Sequence, residues 1–78
     1  MKLMALNLPR NFTEEALAKL FKHYGNIKSC GLVLDENTGA SKGFGFVEMA
    51  LDHEAIKAIE DLHGSVVGKN KIRVKQAN

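Results

Sequence analysis

Residues 42–49 read Lys-Gly-Phe-Gly-Phe-Val-Glu-Met, and the direction of the two phenyl rings in that stretch decides the fold. In an extended strand successive side chains alternate between faces, so Phe44 and Phe46 share a face with Lys42 and Glu48. Gly45, Val47 and Met49 share the other. Placing Lys42 and Glu48 beneath a covering layer would cost several kcal/mol as unpaired interior charge. Gly45, Val47 and Met49 therefore face the core, and the rings lie on a face that no other layer covers. The stretch 71–76, Lys-Ile-Arg-Val-Lys-Gln, shows the same alternation: Ile72 and Val74 point one way, Arg73 and Lys75 the other.

Working outward from residue 42, the preceding Glu-Asn-Thr-Gly-Ala-Ser (36–41) is turn-rich. Before it, 27–35 reads as the partner strand. The segment 13–25 is a helix. Thr13 caps it, Glu14 and Glu15 suit its positive end, and Gly25 closes it. Its apolar stripe is Leu17, Leu20, Phe21 and Tyr24. The apolar run 2–8 is a first strand, stopped by Pro9. Downstream, Asp52 is expected to cap a second helix over 53–63, with Ala55, Ile59 and Leu62 turned inward and Gly64 closing it. A loop around 66–68 then leads to the last strand, 71–76. The order is βαββαβ. Right-handed crossovers place both helices on one face of a four-stranded antiparallel sheet, with the first and third strands central. The fold class is α+β, a ferredoxin-like sandwich, and the chain reads as one domain over residues 1–78.

Composition narrows the function. The chain has 78 residues, 45% hydrophobic and 26% charged, which describes a small globular domain. No apolar run approaches the ~20 residues of a membrane span. The opening residues lack the apolar stretch and cleavage site of a signal peptide, and Cys30 alone makes neither an internal disulfide nor a cysteine metal cluster. A cytoplasmic location is expected. The net charge of +2 hides a segregation. Six of nine acids lie in the two helical segments, while Lys69, Lys71, Arg73 and Lys75 fall within seven residues. Segregated charge gives a nearly neutral chain one basic surface. On the open face, Met4 and Leu6 should lie beside Phe44 and Phe46, with Val33 nearby and Lys42, Arg73, Lys75 and Lys2 around them. An apolar patch ringed by cations marks a binding site, and rings with flanking cations suit bases and phosphates.

These residues resemble the RNA recognition motif family across nearly the whole chain. Residues 42–49 match its octamer (Lys or Arg, Gly, Phe or Tyr, Gly or Ala, Phe, Val, any residue, Phe or Tyr) at seven of eight positions. Met49 replaces the final aromatic, at an inward position. Leu3-Met4-Ala5-Leu6-Asn7-Leu8 resembles the family's hexamer, with Met4 where a stacking ring is usual. The lack of a second motif is similar to small single-motif RNA-binding proteins of bacteria. The resemblance implies single-stranded RNA binding across the sheet. Phe44 and Phe46 would stack bases, Lys42 would contact phosphate, and Met4, beside Leu6, would be a weaker apolar platform. Arg73, Lys75 and the backbone of Gln76, Ala77 and Asn78 would supply polar contacts. Gly31 leaves its edge bare. Asn7 bonds either the loop backbone or a base, and anchoring a turn is its commoner role.

Three rivals stand against this reading. Cold-shock domains carry a similar Lys-Gly-Phe-Gly-Phe stretch but are all-β, and two helices argue against them. The same fold carries small enzymes, yet the sequence has no Cys-x-x-Cys, no histidine pair at metal spacing and no nucleophile–base pair. His23, His53 and His63 read as exposed helix residues, and Cys30 as core. A protein-interaction module would use Phe44, Phe46, Met4 and Leu6 for a peptide or a second copy. The expected partner is single-stranded RNA, with single-stranded DNA as an alternative and a protein or self-association as the rival. No enzyme activity, cofactor, metal or membrane partner is expected.

Overall fold

The structure, a computed structural model, describes residues 1–77. The elements are β1 (Lys2–Leu6), α1 (Glu14–Lys22), β2 (Ile27–Leu34), β3 (Ser41–Met49), α2 (Asp52–Leu62), β4 (Val66–Val67), β5 (Asn70–Lys71) and β6 (Arg73–Gln76). The four longer strands form one antiparallel sheet in the order β2-β3-β1-β6, so the first and third strands are central as expected. β4 and β5 form a separate small hairpin.

The core lies between the sheet and the helices. Leu3, Ala5, Val47, Met49, Ile72 and Val74 contribute from the sheet side; Leu17, Phe21, Ala55, Ala58 and Leu62 contribute from the helices. Each strand residue has the parity that the sequence assigns to the covered face. Leu20, Tyr24 and Ile59 pack partly buried at the margin. Thr13 caps α1, its Oγ1 accepting from the Ala16 N–H at 3.0 Å.

Several local expectations change. Asp52 is not the cap of α2: Leu51 holds that position without a side-chain bond, and Asp52 begins the helix with its carboxylate 3.5 Å from the Met1 amino group. The first strand stops at Leu6 because Asn7 adopts φ +61°, in the left-handed region, and turns the chain off the sheet. The last strand is likewise shorter than 71–76. Lys71 belongs to the hairpin, and Ile72 pairs with the segment after α2, its N–H donating to Ser65 O and its C=O accepting from Gly64 N–H. His63 is exposed at the end of α2, but its Nδ1 accepts the Val74 N–H at 3.2 Å and so occupies part of the outer edge of β6. Cys30 is half-buried rather than fully in the core, with Sγ 3.8 Å from Glu14 O. Burial, then the Glu14 charge, pushes its thiol pKa up, which disfavours the reactive thiolate.

Candidate nucleic-acid interface

The uncovered face of the sheet is a small lattice set by strand register. One row runs Lys75, Met4, Phe46, Gly31 across β6, β1, β3 and β2. The next runs Arg73, Leu6, Phe44. Met4, Leu6, Phe44 and Phe46 are all half-buried, whereas Leu3, Ala5 and Val47 between them are fully buried. Alternation along each strand therefore brings the four apolar candidates together on the open side. The rings of Phe44 and Phe46 lie 6.5 Å apart between centroids at 80°, an edge-to-face pair.

The cations sit at the margin. Lys42, Arg73 and Lys75 are exposed. Lys2 stands directly on the patch, its Nζ 5.0 Å from the centre of the Phe46 ring. Opposite Lys2 in register is Glu48, an acid on the open face that accepts from the Ser29 hydroxyl at 3.4 Å. The β2 margin carries a second acid. A Cβ added at Gly31 would lie 3.3 Å from Glu14 Oε1, so a carboxylate borders the space this glycine leaves. The positive side of the face is therefore the β1–β6 side.

Asn7 has a structural bond. Its amide nitrogen donates to Lys71 O at 2.8 Å, while Asn70 donates to Asn7 O at 3.1 Å, tying the end of β1 to the hairpin. Gln76 is exposed and Ala77 donates its N–H to Lys2 O at 2.8 Å, which prolongs the β1–β6 pairing. The contact expected of Asn78 lies outside the described residues.

Arg10 is a residue that the sequence reading missed. It follows Pro9 in the loop leaving β1, and its Nη1 donates to Ser41 O at 3.2 Å at the start of β3. Nothing in the local sequence marks it, because its place is set by the approach of segments distant in sequence. Gly43, at φ +88°, gives Arg10 its room: a Cβ there would lie 3.2 Å from the Arg10 Nε. Among the described residues, no group of three or more His, Cys, Asp or Glu side chains is placed to hold a metal ion, and no helix is long and apolar enough to cross a membrane.

Comparison with known proteins agrees with this arrangement. The protein RbpB of Nostoc sp. is 42% identical over 71 residues, covering 91% of this chain and 69% of RbpB. In several longer relatives the matched part is only 10–19% of the protein. Among solved structures, the crystal structure of RNA binding protein PG1 superposes with a TM-score of 0.96 at 39% identity, covering 99% of this chain and 93% of that one. A Sex-lethal protein–RNA complex superposes with a TM-score of 0.94 at 31% identity, covering 99% of this chain and 46% of that one. The family described as RNA recognition motif matches residues 5–73, and with the sheet and its open aromatic face already described, the chain belongs to that family.

Proposed function

We propose that this chain binds single-stranded RNA across the open face of its sheet, without catalysis. Bases stack on Phe44 and Phe46, with Met4 and Leu6 as the neighbouring apolar floor. Lys42, Arg73 and Lys75 meet phosphates. The observation that carries the proposal is the pair of phenyl rings held on the uncovered face while their strand neighbours Gly45 and Val47 are buried. Family membership supports it, as do the names of similar proteins: RbpB and PG1 are named as RNA-binding proteins, and Sex-lethal is titled as an RNA complex. Stacking needs unpaired base faces, so a single strand is preferred over a duplex stem.

The test is Phe44→Ala and Phe46→Ala, each titrated with an unstructured RNA oligonucleotide. Each is expected to weaken binding by ~1–3 kcal/mol, the usual worth of one base–aromatic stack. Circular dichroism should show an intact fold in both. Full affinity in both variants would remove the sheet face from the binding site. A protein partner on the same face would instead leave RNA affinity unchanged and shift association with protein.

A further inference from the structure

Beyond the rim of the open face lies a cleft of about 350 Å³ that the sheet-stacking reading does not use. Its lining is Pro9, Arg10, Asn11, Gly68, Lys69 and Asn70, so one wall is the loop leaving β1 and the other is the turn between β4 and β5. The walls are joined. Asn7 and Asn70 interlock the two segments through their amide bonds, and Gly68 lies against Pro9, where an added Cβ would be 3.4 Å from the ring. The Arg10 guanidinium is held by its bond to Ser41 O. The cleft is thus a formed groove between anchored loops, and none of its six lining residues is acidic or aromatic.

Its place in the lattice matters. Leu6 is the last residue of β1 and stands in the row with Phe44 and Arg73. The chain then turns off the sheet at Asn7 and runs into the cleft wall. A strand of nucleic acid that leaves the sheet past the Phe44 row, at the Asn7 and Ser41 end, meets this groove. The groove offers a planar guanidinium, an ammonium and side-chain amides, which are donors suited to phosphate oxygens and poor platforms for bases.

We propose that this cleft is a phosphodiester subsite, in which Arg10 and Lys69 hold the backbone of RNA that has passed off the sheet. This rests on the sheet-binding reading, and adds that the strand leaves the sheet past the Phe44 row. Its signature is a dependence on length. RNA confined to the sheet does not reach the cleft; a longer strand does.

The experiment compares single-stranded RNA of ~4 and ~8 nucleotides, within the range that small binding domains occupy. The unmodified chain, Arg10→Gln/Lys69→Gln and Phe44→Ala are titrated over a series of salt concentrations. The unmodified chain should bind the longer RNA about tenfold tighter. The double variant should lose that gain while keeping affinity for the short RNA within about twofold. Its salt dependence on the long RNA should become shallower by about 1.4 in slope, at ~0.7 for each lost single-strand phosphate contact. Equal loss on both lengths, or an unchanged slope, overturns the subsite. Phe44→Ala reports separately on the sheet: undiminished binding of both lengths overturns the sheet reading, and with it the subsite as an extension of the sheet. Lys69→Gln alone leaves the Arg10–Ser41 bond in place and should remove about half of the slope change; no change in that variant overturns the role of Lys69.

Discussion

At the scale of the residue, Met4 and Gly43 differ most in what they permit. Met4 stands between Phe46 and Lys75 on the open face, where a ring would be a better platform. A thioether touches a base but offers no flat surface to match it. Met4→Tyr is expected to tighten single-stranded RNA binding by about 1 kcal/mol, the low end of the stacking range, and to change stability by no more than ~0.5 kcal/mol. Anisotropy titration with chemical denaturation checks both. Unchanged RNA affinity with a shifted oligomeric state would favour a protein interface at this position. Gly43 is constrained by its backbone. At φ +88° a side chain is strained, and a Cβ would press on Arg10. Gly43→Ala is expected to lower unfolding free energy by ~1–2 kcal/mol, the scale of left-handed strain, and urea denaturation measures it.

At the scale of the element, the turn between β2 and β3 carries a built-in sensitivity to acid. Asp35 accepts the backbone N–H groups of Asn37 at 2.8 Å and Thr38 at 3.1 Å through one carboxylate oxygen. Those bonds, Asn37's first, hold its carboxyl below the usual pKa of aspartate. The sign follows from the direction. The turn's stabilisation is complete above the pKa of an unfolded aspartate and fades as pH falls through the lowered folded value. Carbon-detected titration of Asp35 should give a midpoint below that of a free aspartate, and the Asn37 and Thr38 amides should lose protection over the same interval. An ordinary midpoint would contradict the bonded turn. A turn here was legible in the sequence, one residue late at each end, as were the faces of Lys42 and of residues 44–49, because Lys42 and Glu48 leave the phenylalanines only one side. The start of the last strand was less so. Alternation in 71–76 holds for side chains, yet Ile72 takes its backbone partners from residues after α2, and periodicity carries no information about which backbone a residue pairs with. The same limit explains Asp52: a carboxylate before an apolar run reads as a cap, but the Met1 amino group, distant in sequence, lies beside it. Arg10 escaped notice because its importance comes from the meeting of two loops.

At the scale of the whole molecule, charge is biased between the two faces, although Glu48 lies on the open one and Lys19, Lys22 and Lys57 lie on the helices. Most acids belong to the helices, while Lys2, Lys42, Arg73 and Lys75 belong to the sheet and its rim. The molecule measures 36 × 23 × 21 Å, so the separation spans only a few Debye lengths at physiological salt, each ~8 Å. It is still enough to orient an approaching polyanion toward the open face. For a short RNA on the sheet, Lys42, Arg73 and Lys75 predict a slope of about −2 in log K against log salt, at ~0.7 per contact. Titrations from low to high salt measure it. A slope near zero would mean that these three cations do not meet phosphates.

Lys2 alters what that binding consists of. Its ammonium rests over the Phe46 ring, so the ring face is occupied before any ligand arrives. A cation over an exposed ring is worth ~0.5–1 kcal/mol and a stacked base ~1–3 kcal/mol, so a base stacking there as proposed would displace the lysine. The displacement adds no delay, since an exposed side chain changes rotamer within nanoseconds. On the proposed sheet binding Lys2 is therefore a placeholder: the base that takes its position over Phe46 would free its ammonium beside the phosphate backbone.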